Sequence, residues 1–166
     1  MSAALPLPVA TLNQKIASLV AAFRVVGATR MQGVPVLHPG LSVEAVAFDI
    51  VADADESAAL GILLTPWFMN LVWLPLQEQA PLPVGQTVVR RLGVTDFEFI
   101  GAHEPGFGAY EMCSLFSPMF EFADQAAARE TAQQALELLR TAPKPKPAAP
   151  LHGRRAFLFG RPRETV

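Results

Sequence analysis

The stretch that decides the fold is Ser57-Ala-Ala-Leu-Gly-Ile-Leu-Leu-Thr-Pro-Trp-Phe-Met-Asn-Leu-Val-Trp-Leu-Pro-Leu76. It carries no formal charge and contains both tryptophans of the chain. A membrane-spanning helix needs about 20 apolar residues, but Pro66 and Pro75 would each break such a helix. Acidic residues flank the stretch on both sides, without the Lys or Arg that would orient it in a membrane. The stretch therefore predicts two buried strands, at 59–64 and 71–74, that meet at an aromatic corner.

An amphipathic helix is predicted near the start of the chain. Pro6 and Pro8 indicate an extended beginning, and Thr11 followed by Gln14 three residues later is the pattern of a capping box. Apolar residues then recur at helical spacing until Gly27, a plausible stop.

A second helix is predicted to end at Arg140, because the segment before it is rich in Ala, Gln, Glu and Leu with one apolar face. Two starts are compatible with the sequence. Ser117-Pro118 would supply a cap and a first-turn proline, and Asp124 is an equally good N-cap.

Further strands are predicted on both sides of the central stretch. The complete set is 43–50, 59–64, 71–74, 86–92, 96–101 and 109–116. Residues 43–50 alternate with both faces largely apolar, and the short connections between the later strands favour antiparallel pairing. The expected class is α+β: a mostly antiparallel sheet of about five or six short strands, flanked by an N-terminal and a C-terminal helix.

Charge and composition divide the chain into three parts. Residues 1–140 are expected to form a single α+β domain, 141–150 a Pro-rich linker and 151–166 a basic tail. Residues 1–139 carry six Lys or Arg against fourteen Asp or Glu, whereas residues 140–166 carry seven against one. Charged residues are only 17 % of the chain, which predicts an apolar surface kept for a partner.

Signals for catalysis are weak, so the protein is predicted not to be an enzyme and to hold no cofactor. The chain lacks a phosphate-binding Gly-x-x-x-x-Gly-Lys loop, a His-Glu-x-x-His motif and a Cys-x-x-Cys pair. His38, His103 and His152 are far apart in sequence, each in a predicted loop, and no metal site is expected. The single cysteine, Cys113, is predicted to be a buried apolar residue. Basic groups confined to a tail do not predict nucleic-acid binding.

Two sets of residues are candidates for binding. The first set lies at the centre of the stretch quoted above and either packs in the core or offers an adaptable apolar surface to a partner: Trp67, Phe68, Met69, Asn70 and Trp73. Motif positions of the resemblance described below add Phe116, Met119 and Phe120, with core packing again as the alternative. The second lies in the tail, where Gly153-Arg-Arg-Ala-Phe-Leu-Phe159 has the paired arginines and Phe-Leu of a twin-arginine export signal. Export signals are N-terminal, so Arg154, Arg155, Phe157 and Leu158 are interpreted as a mimic of such a signal, with chance similarity as the alternative.

Three segments resemble a known family. They are Gly61-Ile-Leu-Leu-Thr-Pro-Trp-Phe-Met-Asn-Leu-Val-Trp-Leu-Pro75, Cys113-Ser-Leu-Phe-Ser-Pro-Met-Phe-Glu-Phe122 and Arg30-Met-Gln-Gly-Val-Pro-Val-Leu-His-Pro39. In this order, over residues 12 to 140, the chain is similar to the HybE/HupJ/HoxT family of nickel–iron hydrogenase assembly chaperones.

The resemblance implies a small cytoplasmic accessory protein that binds a hydrogenase subunit before assembly and twin-arginine export. The expected partner is the small-subunit precursor with its leader, or the large subunit, and other maturation proteins are possible partners. The N-terminus has no secretory signal pattern, in keeping with the cytoplasm.

Two other functions remain open. One is a scaffold that bridges subunits or maturation factors without recognising the leader. The other, more distant, is a redox or hydrolytic maturation enzyme that would use Cys113 or His103.

Overall fold

Two helices and six strands form the part of the chain that the computed structural model describes, residues 7–51, 58–76 and 80–140. In chain order they are α1 (Leu7–Ala28), β1 (Glu44–Ile50), β2 (Ala58–Leu64), β3 (Met69–Pro75), β4 (Thr87–Leu92), β5 (Thr95–Glu104), β6 (Gly108–Phe116) and α2 (Gln125–Arg140). The α+β class predicted from the sequence is confirmed.

The strands form one sheet in the order β1-β2-β3-β6-β5-β4, and all neighbouring strands pair antiparallel. The central stretch of the sequence forms the β2–β3 hairpin, with Leu64 opposite Met69 and Ala58 opposite Pro75. The two strands predicted at 59–64 and 71–74 are therefore correct and slightly longer than expected.

The helices lie on opposite faces of the sheet. Ala59, Leu63 and Val72 belong to the core under α1, and Leu60 and Leu71 belong to the core under α2. Successive residues of a strand point to opposite faces, so a strand covered on both sides must be apolar at nearly every position. This explains why the central stretch reads as a continuous apolar run.

The edge strand β1 departs from the uninterrupted alternation predicted for residues 43–50. Its register against β2 shifts between Val46 and Asp49, and Ala47 has a φ of 50°. The result is a β-bulge, which inserts an extra residue and turns the following side chains. The ring of Phe48 thereby comes to lie on Gly61 of β2.

The predicted starts of the helices need correction. Helix α1 begins at Leu7, so Pro8 lies in its first turn and Thr11 lies inside it. The extended conformation predicted at Pro8 and the Thr11 cap are wrong, and Pro6 lies outside the described residues. Proline is tolerated in a first turn because the backbone N–H that it lacks would have no partner there.

Helix α2 uses the second of its two predicted starts. The Asp124 Oδ1 atom accepts a hydrogen bond from the backbone N–H of Ala127 at 2.9 Å, which is the N-cap geometry. Ser117-Pro118 instead lies in the loop before the helix. None of the helices in the described residues is long and apolar enough to cross a membrane.

Candidate functional site

The two motifs rich in aromatic residues meet at one end of the sheet. The β2–β3 turn carries one of them, and the loop from β6 to α2 carries the other. The loop between α1 and β1 lies between them and joins them through His38, whose backbone N–H donates to the carbonyl of Pro66 at 2.8 Å.

The imidazole of His38 connects these loops through hydrogen bonds. Its Nδ1 accepts from the backbone N–H of Gly40 at 2.9 Å. The Nε2 atom therefore carries the proton of the neutral ring, and it donates to the carbonyl oxygen of Phe122 at 2.7 Å. The same ring stacks on Phe120, with ring centroids 6.2 Å apart and planes at 25°.

The β2–β3 turn is held by the hydroxyl of Thr65. Its oxygen accepts from the backbone N–H groups of Trp67 and Phe68 at 3.2 and 3.0 Å. Both rings pack on Phe23 of α1, with centroid distances of 6.5 Å for Trp67 and 5.7 Å for Phe68. The turn thus holds two aromatic side chains in one orientation at the end of the sheet.

The predicted binding residues differ widely in exposure. Phe120 is 54 % exposed. Three more are half-buried: Trp67, Phe68 and Phe116. The remaining four are buried and therefore closed to direct contact with a partner: Met69, Asn70, Trp73 and Met119. We call the accessible part, made by His38, Trp67 and Phe120, the loop-end surface.

Trp73 lies apart from the loop-end surface. It is four residues from Met69 along β3, which at about 3.3 Å per residue is roughly 13 Å. The guanidinium of Arg90 lies 4.0 Å from its ring centroid and binds Glu111 through two hydrogen bonds, of 2.7 and 2.9 Å. Trp73 is therefore part of a buried cation–π and ion-pair cluster under the α2 face.

Asn70 is a buried polar side chain that is only partly satisfied. Its amide nitrogen lies 3.4 Å from the sulfur of Met112, a weak acceptor. Its Oδ1 has no hydrogen-bond partner among the described residues. A buried acceptor without a partner costs about 1–3 kcal/mol, so packing alone does not favour Asn at this position.

His38 is a site residue that sequence patterns do not reveal, because a single histidine in a predicted loop has no partner close to it in the chain. Its contacts with Pro66 and Phe122 span many residues of sequence, and no local pattern reveals them. The available signal was its place in the Arg30–Pro39 segment that carries the family resemblance.

Two apolar grooves flank the helices. The α2 groove, between α2 and β6, has a volume of about 120 Å³ and includes Leu115, Phe116 and Leu138. The α1 groove, between α1 and the β5–β6 turn, is larger, at about 540 Å³. Its walls include Val25 of α1 and the ion pair between Arg30 and Glu104.

The two residues named for the rival enzyme function differ in exposure. The Cys113 thiol is buried in the core under α2, whereas His103 is exposed on β5. In the described ranges, no three His, Cys, Asp or Glu side chains converge as metal ligands would. The tail residues Arg154, Arg155, Phe157 and Leu158 lie outside the described residues.

Comparisons with known proteins agree with the fold and the motifs. The family described as "[NiFe]-hydrogenase assembly, chaperone, HybE" matches residues 14–160, a range that extends beyond residue 140 into the tail. Protein HoxT of Cupriavidus necator is 51 % identical over 161 residues, covering 90 % of each chain. The hydrogenase expression/formation protein HupJ of Bradyrhizobium diazoefficiens is 40 % identical over 149 residues, covering 86 % of this chain and 85 % of HupJ.

The solution structure of HybE from Escherichia coli has the same fold, with a TM-score of 0.60 over 90 % of this chain and 91 % of HybE at 24 % identity. The range of the family match and the identity to HoxT are decisive. The chain belongs to the HybE family of nickel–iron hydrogenase assembly chaperones.

Proposed function

We propose that this protein binds a nickel–iron hydrogenase subunit precursor in the cytoplasm, before the enzyme is assembled and exported, and that the loop-end surface makes the contact. The favoured client is the small subunit with its twin-arginine leader. The observation that carries the proposal is the exposure of Phe120 next to loops that His38 joins by hydrogen bonds.

Pre-organisation is what makes this surface suitable for binding. A partner that meets loops already held by hydrogen bonds does not have to order them, which reduces the entropy lost on association. Aromatic side chains are also common among the few residues that dominate binding energy.

Holding a precursor requires no chemical step. The proposed role is that of a chaperone rather than an enzyme, and it needs no bound cofactor. Alanine at Cys113 or His103 is expected to leave hydrogenase maturation intact; loss of maturation in a folded variant would favour the enzymatic alternative.

The test is a calorimetric titration of the full chain with three clients: the small-subunit precursor, the same subunit without its leader, and the large subunit. Phe120→Ala is expected to weaken binding of the preferred client roughly tenfold, a typical loss for a dominant interface residue. Val89→Ala is the matched control, because Val89 is 61 % exposed but lies on the edge strand β4.

The outcomes separate the possible clients. Binding that depends on the leader supports recognition of the precursor. Equal binding with and without the leader supports a scaffold. Equal effects of the Phe120 and Val89 variants on every client would reject the loop-end surface as the binding site.

A further inference from the structure

The α1 groove combines an apolar wall with a buried carboxylate. Ala21, Ala22 and Val25 line it from the helix, and Pro105 lines it from the β5–β6 turn. Small side chains on one wall leave room for large apolar side chains from an incoming segment. A volume of about 540 Å³ lies within the range of 300–1,000 Å³ of typical ligand pockets.

One end of this groove carries the ion pair between Glu104 and Arg30. Glu104 is only 8 % exposed, and its Oε1 accepts a hydrogen bond from Nη2 of Arg30. The Arg30 side chain is itself 60 % exposed, and an ionised carboxylate can accept about four hydrogen bonds. A second guanidinium can therefore bind Glu104 beside Arg30 or in its place.

The pKa of the neighbouring Tyr110 is also affected by the charge of Glu104. Burial, and after it the charge of Glu104, raises the pKa of Tyr110 to about 12. Because Glu104 is itself buried, water screens its carboxylate less than it screens a surface carboxylate, and an arginine that reaches it gains more than at a surface site.

The chain itself contains a segment with the matching chemistry. Arg154 and Arg155 are followed by Phe157 and Leu158, so that two guanidiniums precede two large apolar side chains. The basic tail also complements the acidic charge of residues 1–139.

The tail is long enough to reach the groove. Helix α2 ends at Arg140, which donates to the carbonyl of Leu60 at 2.7 Å. The ten residues 141–150 include four prolines; a Pro-rich linker extends by about 3.1 Å per residue, or about 30 Å. The thirteen residues 141–153 that precede Arg154 span about 40 Å at this extension. A domain of about 140 residues has a radius of gyration near 14 Å, so this segment is about as long as the domain is wide.

The α2 groove is the weaker candidate, although it lies closer to the end of α2. None of its lining residues among the described ones is charged, so it offers no partner for the paired arginines. Its volume of about 120 Å³ is also small for two large side chains.

We infer that residues 154–158 dock into the α1 groove, with an arginine of the pair on Glu104 and with Phe157 and Leu158 against Val25. The docked tail places a twin-arginine-like sequence in a groove that would also accept the leader of a client, while the loop-end surface would contact the rest of the precursor. The tail would then compete with the leader of a precursor, which must displace it in order to bind. This regulatory role rests on the proposed function.

Disulfide trapping in the full chain tests the docking. The test protein is Val25→Cys/Ala156→Cys, and the control is Val89→Cys/Ala156→Cys, because both valines are 61 % exposed. The native Cys113 is 5 % exposed and stays in place. Docking raises the effective concentration of the two thiols, so the disulfide within one chain is expected to form roughly tenfold faster in the test protein.

Charge variants show whether the arginines and Glu104 drive the docking. Arg154→Gln/Arg155→Gln is expected to bring the trapping rate of the test protein down to that of the control without changing the folded part. Glu104→Gln should act in the same direction, whereas Glu98→Gln, on the same strand but exposed, should not. Equal rates in the test and control proteins, or disulfides mainly between two copies of the chain, would overturn the inference.

A leader peptide of a hydrogenase small subunit separates this inference from the proposed function. Slower trapping on addition of the peptide supports competition for one site. Trapping that the peptide does not change would overturn the competitor role but not the docking. Client binding by a protein whose trapping equals the control would leave the proposed function standing and remove the docking.

Discussion

Gly61 shows how a single residue decides whether the edge strand β1 can pack against β2. It lies in β2 beneath the ring of Phe48, and a Cβ atom at this position would come within 2.3 Å of the ring's Cγ. The ring sits on the glycine because the bulge at Ala47 turns Phe48 toward it. No other residue type leaves room for the ring.

We predict that Gly61→Ala lowers the free energy of unfolding by about 1–3 kcal/mol, the usual cost of overpacking. Combining it with Phe48→Leu should recover part of that loss, because the smaller side chain removes the clash. Urea denaturation of the two single variants and the double variant measures the coupling.

Gly27→Ala is the control for this cycle. Its Cβ would lie 3.4 Å from the nearest Trp67 atom, and alanine favours helix over glycine by up to about 1 kcal/mol. Strictly additive effects of Gly61→Ala and Phe48→Leu would contradict the steric explanation.

At the scale of elements, Glu44 of the edge strand β1 binds two side chains of α2 through hydrogen bonds and an ion pair. The Glu44 carboxylate accepts from Nε and Nη2 of Arg129 at 2.6 and 3.0 Å, and from Nε2 of Gln125 at 2.8 Å. The hydrogen bonds from Arg129, opposed by burial and aided by the bond from Gln125, hold the pKa of Glu44 below its usual value of 4.5.

A lowered pKa means that the ionised carboxylate is favoured in the folded state. Its contribution to stability is therefore complete above pH 4.5 and is lost as the pH falls through the folded-state pKa. We predict that Glu44→Gln is less stable than the parent protein at pH 7 by about 1 kcal/mol or less. The difference should narrow at acid pH.

Urea titrations at pH 7 and at acid pH check this prediction. Glu98→Gln corrects for the loss of one negative charge from an acidic domain. An equally large deficit of the Glu44 variant at both pH values would show that packing, and not the ionised carboxylate, is responsible.

At the scale of the whole molecule, the described residues form two cores, one on each face of the sheet. The core under α1 and the core under α2 share the strands β2 and β3, so a single sheet couples them. Two cores that share strands are expected to unfold together.

We therefore predict that a chain ending at Ala149 unfolds in one cooperative transition. Its thermal midpoint should lie within about 4 °C of the full chain, which corresponds to roughly 1 kcal/mol, since a docked tail adds only a peripheral contact. Calorimetry on both proteins measures the difference. A much lower midpoint, or two transitions, would place part of the core in residues 150–166 and reject a domain that ends at residue 140.

Much of this architecture is predictable from local patterns. The uncharged run from Ser57 to Leu76 predicts two strands covered on both faces, because only such strands are apolar at every position. Helical spacing predicts α1 and α2, and Asp124 is one of the two starts that the sequence offers for α2. The first helix was predicted to start too late, since Pro8 and Thr11 are compatible with either side of a helix boundary.

The tertiary structure alone decides which of these apolar side chains are accessible. Trp73 and Phe120 both belong to aromatic motifs, but Arg90 covers Trp73 whereas Phe120 stays exposed. The bulge at Ala47 likewise depends on how β1 meets β2.

The same holds for the contacts that build the candidate sites. His38 meets Phe122 across 84 residues of sequence, and Arg30 meets Glu104 across 74. The sequence by itself determined the strands, the helices and the family, because periodicity and motifs are properties of neighbouring residues. Exposure and long-range pairing were decided only by the tertiary structure, because they depend on which distant segments the sheet brings together.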